Sequence, residues 1–563
     1  MNSRQKSSYL YAFLLVVIFI LALGLRLWGI DFGLGLNYHN DEGVKIKEII
    51  SFVSGNTLTD MRSFRHPVFM RRYAAAVISA VQVVTSSKLD YSQIHLISRI
   101  SIALLGALTV IPLYFLGKML ISRNAGLLSA LILAVVPTHV VHSHYLKEDI
   151  PLTFWLTLFL LAAMHVMRSG NKKYYVFAGL MGGLALSTKY TAVALVPLPL
   201  FAAHMLNIHR TEDIKWYSPD FFIRSLIDSR LWIAFLAMIL SCIAINIEFF
   251  MNLKQFLAGL NFEFLHAARG HEDVSIPSLP LFFSFHLRFS LWPGMTPLLL
   301  IMSFGGILAA LWMNRKENEG LREICYLLFT LIISYLTVEL PLLKPFGFER
   351  YVLPCIPILS LFAAWIFIFL TYTVRQTFLR TAGIIAASLI VISTGIISAK
   401  YDRAMVPDTR DSAAQWLNKW IENSMPPEQS LVLFENPNYL PSRGLSLKFR
   451  DRIFRAFDVE LLFKGQPEYI VVSDFNFTRY FVYEKYATNY VGDYQTFLRF
   501  YKTLFSTHTP LIEFKADLPK IGFNNPVIRV YRMDYSKLES ARPGPEVRLR
   551  IIPRMKTDES LLK

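Results

Sequence analysis

Long apolar stretches limit what this chain can fold into more than any other feature. A helix that crosses a bilayer needs about 20 mostly apolar residues. Of the 563 residues, 54% are hydrophobic, and the 17% that are charged gather between the apolar stretches. A soluble protein of this composition would expose large apolar patches. We therefore predict a polytopic α-helical membrane protein with about 11 transmembrane helices, at residues 9–30, 97–119, 124–141, 150–167, 173–189, 190–206, 231–250, 290–313, 323–341, 351–373 and 381–399.

One further apolar stretch, residues 73–87, is short, and we predict an interfacial or re-entrant helix there. Cytoplasmic loops of membrane proteins are rich in Lys and Arg. If 73–87 does not cross and the N-terminus is cytoplasmic, every inside loop carries at least two basic residues. We therefore predict a multi-pass protein of the cell's inner (plasma) membrane, with a cytoplasmic N-terminus and a periplasmic or extracellular C-terminus.

The same orientation places the polar motifs of the transmembrane domain, residues 1–400, on the external face. These motifs are YHNDEG (38–43), FRHPVFMRR (64–72), HSHYLKED (142–149), STKY (187–190), NFEFLHAARGHED (261–273) and KPFGFERY (344–351). The orientation was chosen from basic residues elsewhere in the chain. The polar motifs played no part in that choice, so their position on one face predicts a functional site on the external side.

The composition changes to that of a soluble domain after residue 400. An amphipathic pattern predicts a helix at 408–423, and a second helix is expected at 493–505. Short runs rich in β-formers predict strands at 430–436, 469–475, 511–517 and 527–533. We therefore predict a small external α/β domain over 401–540, followed by a basic, disordered tail over 541–563.

Charge and cysteine content exclude several classes of protein. The net charge of +16 is explained by cytoplasmic loops and by contacts with lipid phosphates, so we predict no nucleic-acid partner. Cys242, Cys325 and Cys355 lie in or beside apolar runs and match neither a metal-site nor a disulfide pattern. The sequence contains no glycine-rich nucleotide loop of the G-x-G-x-x-G or P-loop type, which favours a lipid-linked over a nucleotide-linked substrate.

Several motifs in a fixed order carry a family resemblance. Asp41-Glu42 follows the first span, an HP segment at 66–67 comes next, and R-x-x-x-A-L-L-G begins at Arg99. HSHYLKED (142–149), GGLALSTKYTAVALVPLPL (182–200) and RYVLPCIPILSL (350–361) follow. Over about residues 1–400 the chain resembles the family 39 glycosyltransferases of the GT-C fold superfamily, which include protein O-mannosyltransferases and the lipid A aminoarabinose transferase.

The resemblance implies a catalytic role for three acids. Asp41 matches the family's catalytic acid in the first external loop, Asp149 matches its acid in the second, and Glu42 could assist either. A carboxylate can accept the proton of an acceptor hydroxyl as that hydroxyl attacks an anomeric carbon. Acidic loop residues also serve as metal ligands or simply face solvent, and both readings remain open for these three.

Cations must stabilise the phosphate that departs from a lipid-phosphate donor. The candidates are Lys189 and Arg350, with Arg72 and Arg71 as further phosphate contacts. Each also has a plainer reading, as a side chain that reaches lipid headgroups or anchors a helix end. Arg99 matches a family arginine that we expect to tie helices together.

Histidines His66, His144, His266 and His271 are candidate substrate or metal contacts. A divalent metal is possible but is not indicated by the spacing of these residues, and no cofactor is identified. Loop histidines are more often ordinary surface residues than ligands.

We therefore expect an inverting membrane glycosyltransferase. It would transfer a sugar, hexose or pentose, from a polyprenyl-phosphate donor to a hydroxyl of a glycan, lipid or protein acceptor, with Asp41 as general base. The alternative is a multi-span transporter or flippase of glycolipids. Transporters place functional charges near the bilayer midplane and often contain repeats. Here the charges collect at one face and no repeat is present, which favours the enzyme.

Overall fold

The computed structural model describes residues 3–212, 216–269, 284–339, 349–435, 438–484 and 494–543. The chain forms two compact units. The membrane unit comprises Met1–Ala268, Pro280–Val406 and Leu518–Asn524, and the C-terminal unit comprises Arg269–Leu279, Pro407–Asp517 and Asn525–Lys563.

Helices make up the membrane unit. Its α-helices are Ser3–Leu27, Glu42–Val53, Phe69–Thr85, Tyr91–Leu108, Val110–Leu120, Arg123–Val135, Pro137–His142, Asp149–Ser169, Lys172–Leu186, Ala192–Leu195, Pro197–Glu212, Pro219–Ile227, Ser229–Ile245, Ile247–Met251, Leu253–Arg269, Trp292–Gly294, Pro297–Asn314, Asn318–Glu339, Ile356–Tyr372 and Thr377–Ala404. Shorter turns of 3₁₀ or π type occur at Met61–Arg65, Leu287–Leu291 and Glu349–Cys355. The sequence-predicted helix at 73–87 lies within Phe69–Thr85, and whether it crosses the bilayer remains a prediction.

The number of spans differs in detail from the expected eleven. Among the described residues, eight helices are long and apolar enough to cross a membrane, and the pair Pro219–Ile227 and Ser229–Ile245, bent by 46°, would make a ninth. The remaining two predicted spans are the shorter helices Arg123–Val135 and Lys172–Leu186. The first ends where Pro137 begins a new helix, because proline has no N–H to continue the earlier one. The chain is therefore a multi-span membrane protein, as predicted.

Glycines allow a close helix contact in this unit. A side chain at Gly179 would collide with the carbonyl oxygen of Ala234, and one at Gly183 with that of Met238. Helices Lys172–Leu186 and Ser229–Ile245 therefore pack backbone to backbone, as small residues allow in membrane bundles. This packing explains why so short a helix holds its place.

The C-terminal unit contains one five-stranded sheet in the order β2-β1-β3-β5-β4. The strands are β1 (Leu431–Phe434), β2 (Ile453–Ala456), β3 (Tyr469–Ser473), β4 (Ile512–Phe514) and β5 (Ile528–Arg532). Strand β1 pairs in parallel with β2 and β3, whereas β5 is antiparallel to β3 and β4. The four predicted strands are confirmed, and β2 was not predicted.

Helices cover both faces of this sheet. They are Thr409–Asn423, Val459–Gly465, Asp474–Tyr483 and Tyr494–Thr507, with 3₁₀ turns at Leu447–Arg452 and Tyr535–Ala541. Successive side chains of β1 point to opposite faces, so Leu431 and Leu433 join one apolar cluster while Val432 and Phe434 join the other. Residues 544–563, most of the predicted tail, lie outside the described residues.

Candidate active site

Asp41 stands at the N-terminus of helix Glu42–Val53, with its side chain 47% exposed. Its Oδ2 accepts a hydrogen bond of 2.6 Å from Nζ of Lys147, which is buried. The Asp41 N–H donates to Nδ1 of His39 at 3.2 Å. Chiefly because of the Lys147 ammonium, the pKa of the Asp41 carboxyl lies well below its usual value, despite the opposing effect of burial.

Glu42, the next residue, is fully buried. Its Oε1 accepts from Arg99 Nε at 3.0 Å and from the Leu146 N–H at 2.8 Å, and its Oε2 accepts from Arg99 Nη2 at 2.6 Å and lies 3.1 Å from His95 Nε2. Arg99 also donates to the carbonyls of Ile30 and Phe32. Glu42 therefore connects the start of helix Glu42–Val53, helix Tyr91–Leu108 and the loop that contains Leu146.

Asp149 begins helix Asp149–Ser169 and is buried. Its Oδ1 accepts from Lys189 Nζ at 2.5 Å, and its Oδ2 lies 3.2 Å from Arg350 Nε. The Lys189 ammonium also lies 4.5 Å from the ring centre of Tyr351. Asp149, Lys189 and Arg350 are far apart in the sequence. In the structure they meet in one cluster of a carboxylate and two cations.

Lys45, Lys147 and Glu148 form a further charged group beside Asp41, and Lys147 also experiences the charges of Asp149 and Arg350. Lys45 pairs with Glu148, and Lys147 lies 3.7 Å from Glu148 Oε2 while it binds Asp41. Burial lowers the pKa of Lys45 to about 8, although Glu148 opposes the shift. For Lys147, burial is outweighed by Asp41 and Glu148, which raise its pKa above the ordinary value. Asp41, Lys147, Glu148 and Lys45 therefore form a row in which negative and positive side chains alternate.

A segment from much later in the chain, residues 518–524, completes this part of the membrane unit. The Gly522 N–H donates to Glu349 Oε1 at 2.7 Å, and the Phe523 N–H donates to the hydroxyl of Tyr145 at 2.9 Å. The Phe523 ring lies 4.4 Å from the ring of His39 and 5.6 Å from the Arg350 guanidinium carbon. Gly522 has φ +78°, and a side chain there would collide with Tyr145. The segment therefore packs closely around Arg350.

Arg71 and Arg72 occupy different settings. The buried Arg71 guanidinium donates to Glu48 at 2.6 Å and to the carbonyls of Ser63, His66 and Pro67. Arg72, 36% exposed, pairs with the fully buried Glu248. Both arginines are engaged by protein groups, and neither contacts Asp149.

The candidate histidines do not form one group. His66 is half-buried, and burial lowers its pKa to about 3, so it is neutral at pH 7. His144 is buried, with its ring nitrogens 3.0 Å from the carbonyls of Val140 and Trp28. His266 lies in helix Leu253–Arg269, but its side chain and all of His271 lie outside the described residues. In the part of the chain that the structure describes, no group of three or more His, Cys, Asp or Glu side chains could hold a metal ion.

Sequence reasoning did not select Lys147, His39 or Phe523. Lys147 stands inside the quoted motif HSHYLKED, where a lysine resembles an ordinary loop residue until its burial is known. His39 stands two residues before Asp41. Phe523 carries no signal at all, because it lies more than a hundred residues beyond the last predicted span.

The bundle, its apolar helices and this row of buried charges define a polytopic α-helical membrane protein with an ionised site. Residues 94–219 match the family model described as dolichyl-phosphate-mannose-protein mannosyltransferase. The matched segment contains Arg99, Lys147, Asp149 and Lys189. The match confirms the resemblance to the family 39 glycosyltransferases that the motifs indicated.

Several solved structures are similar to the chain. ArnT from Cupriavidus metallidurans, bound to undecaprenyl phosphate, is 15% identical with a TM-score of 0.47, covering 96% of this chain and 99% of its own. The oligosaccharyltransferase AglB of Archaeoglobus fulgidus, with an inhibitory peptide and a dolichol-phosphate, is 14% identical with a TM-score of 0.46, covering 85% and 71%. The Saccharomyces cerevisiae Pmt1–Pmt2 complex bound to the sugar donor is 18% identical with a TM-score of 0.33, covering 44% and 34%. No curated protein sequence matches the chain significantly.

Proposed function

We propose that this protein is an inverting glycosyltransferase that moves a sugar from a polyprenyl-phosphate donor to an acceptor hydroxyl at the external membrane face. The observation that carries the proposal is the meeting of Asp149, Lys189 and Arg350 beside the Asp41–Lys147 pair. The site thus offers a base at one end and several cations at the other. A transfer from a phosphate leaving group needs both.

The chemistry assigns each end a role. The acceptor oxygen attacks the anomeric carbon, the bond from that carbon to the phosphate oxygen breaks, and the hydroxyl proton passes to Asp41. The polyprenyl phosphate leaves with an additional negative charge, which Lys189 and Arg350 stabilise. A single displacement of this kind inverts the anomeric centre. Asp149 holds the two cations together and is displaced in part when the phosphate binds.

Apolar residues follow the charged cluster along both of its elements. Leu156 and Leu160 of helix Asp149–Ser169 and Pro354 of the turn Glu349–Cys355 line one small cavity together with the polar Thr157. A phosphate held by Arg350 would therefore place the first isoprenoid units near apolar side chains.

The remaining candidates take supporting roles in this proposal. Arg71 and Glu42 form their hydrogen bonds with protein groups. We therefore propose that they position the external loops. Arg72 is partly exposed, and we assign it a contact with a lipid headgroup or with the donor phosphate. His66 lies near Glu148 and Lys45 and belongs to the rim of the site.

The proposal requires the site to face away from the cytoplasm. Single cysteines at Ser3 and Ser424, in a background without Cys242, Cys325 and Cys355, should be labelled from opposite sides, with Ser424 labelled from outside. Labelling of Ser424 from the cytoplasm only would remove the external site.

Mass spectrometry of glycolipids and glycoproteins tests the function. Cells that lack the gene should lose one sugar modification and accumulate the corresponding polyprenyl-phosphate sugar. The wild-type gene should restore the modification, whereas a gene encoding Asp41→Asn should not. Restoration by that variant would contradict Asp41 as the base, and a redistribution of glycolipid between leaflets without any new glycosidic bond would indicate a flippase.

A further inference from the structure

The ion pair between Lys147 and Asp41 conflicts with the role of Asp41 as a general base. A general base needs a carboxylate that is free to accept a proton. In the structure, however, Lys147 Nζ donates to Asp41 at 2.6 Å. The pKa of Asp41 is accordingly held well below its usual value, and so acidic a group is a weak base. Without substrate the site is therefore poorly prepared for catalysis.

Lys147 differs from the other cations of the site in its partners. Lys189 and Arg350 both pair with Asp149, so an anion that recruits either of them leaves the Lys147–Asp41 ion pair in place. Lys147 faces Asp41 and Glu148, and Glu148 has Lys45 as a second partner. Of these three cations, only Lys147 frees the Asp41 carboxylate when it moves.

The Asp41 carboxylate is accessible to a substrate. Lys147 is almost completely buried, whereas the Asp41 side chain is nearly half exposed, so a substrate can reach the carboxylate as the ammonium turns away. The groups that face Asp41 are Lys147, His39, Lys45 and Arg350. His39 is neutral because burial lowers its pKa to about 3. Once Lys147 has moved, Asp41 is left with the weaker, more distant influence of Lys45 and Arg350.

We propose that Lys147 exchanges the Asp41 carboxylate for the phosphate of the lipid donor, so that Asp41 becomes a base only after the donor has bound. The inference rests on the proposed function and adds a catalytic residue and an order of binding to it. Lys147 remains an ammonium throughout. It contacts the donor phosphodiester and then stabilises the phosphate monoester that leaves, while the acceptor's proton goes to Asp41.

The test measures binding of undecaprenyl phosphate to the full-length protein in nanodiscs, with undecaprenol as the uncharged control lipid. Lys147→Met should weaken phosphate binding about ten- to a hundredfold, as expected for loss of a charge-assisted contact. Asp41→Asn should strengthen it several-fold, because Lys147 no longer has to leave a partner. Lys147→Arg should keep most of the affinity.

The double variant separates partner exchange from a general charge effect. If Lys147 is the link, Asp41→Asn should give no gain in affinity when Lys147 is already Met. An equal gain in both backgrounds, or no gain in the wild-type background, would overturn the exchange while leaving the phosphate site intact. If undecaprenyl phosphate bound no better than undecaprenol, the phosphate site itself and the exchange that depends on it would both be excluded.

Discussion

Asp41 and Glu42 are neighbours in sequence but have opposite structural settings. Glu42 is sealed in the protein, and each of its oxygens is held by more than one partner. Asp41 is half exposed and has one strong partner, Lys147. A carboxylate that is fully engaged fixes the chain, whereas one with a single exchangeable partner can take part in a reaction. The contrast shows that charge and position in the sequence do not by themselves define a catalytic acid.

The largest effect is expected for Asp41→Asn, which should abolish transfer. Asparagine keeps the size but cannot take the acceptor's proton, and general-base catalysis is worth about a hundred- to ten-thousandfold. Turnover of purified protein with its lipid-linked donor measures the loss, and donor binding should be as strong as in wild type or stronger. Near-normal turnover of this variant would show that Asp41 is not the general base.

Glu42→Gln should damage stability instead. Removing one partner of a buried charge pair costs about 3–5 kcal/mol, because the Arg99 guanidinium stays buried without its counter-charge. Thermal unfolding in detergent should show a large decrease for Glu42→Gln and little change for Asp41→Asn. Equal stability of the two variants would mean that burial does not distinguish their roles.

The same comparison between buried site residues and exposed residues can be made for the cations. Lys189→Ala and Arg350→Ala should each weaken donor binding roughly ten- to a hundredfold. Lys88 is exposed, so Lys88→Ala serves as a matched control and should change nothing. Donor affinity that is unchanged in both site variants would remove Lys189 and Arg350 from the phosphate site.

The smallest effect is a shift along the pH axis. The proposed mechanism needs ionised Asp41, so kcat/KM should fall as the pH drops through the Asp41 pKa. Lys147 holds that pKa well below its ordinary value, and Lys147→Met should therefore move the acid limb of the profile to higher pH. The profile of Lys147→Arg should stay near that of wild type. An acid limb at the same pH in both variants would show that Lys147 does not set the basicity of Asp41.

Long apolar runs predicted most of the membrane unit, and amphipathic and β-rich patterns predicted most of the C-terminal unit. Helices Arg123–Val135 and Lys172–Leu186 are, however, shorter than the runs that predicted them. Their ends are set by Pro137 and by Asn171, whose side chain accepts from the Lys173 N–H at the start of the second helix. Strand β2 is as long as β1, but none of its residues is buried, whereas all four of β1 are. Its sequence therefore lacks the apolar run by which β1 was predicted.

The site was predictable where family motifs named its residues. Asp149, Lys189 and Arg350 were selected from separate motifs, and the structure brings them into contact. The separate settings of Asp41 and Glu42 could not be predicted, since they depend on Arg99 and Lys147, more than 50 residues away. Their catalytic and binding roles remain predictions for the experiments above.

Residues 518–524 carry a consequence for how such a gene can change. The membrane unit takes this short stretch from between β4 and β5, so the two units alternate along the chain. A single recombination point near residue 406 would exchange the sheet-bearing part and also remove Gly522 and Phe523 from the surroundings of Glu349 and Arg350. The two parts of the gene are therefore expected to be inherited together, and a chimera with a foreign C-terminal part should need this seven-residue stretch restored.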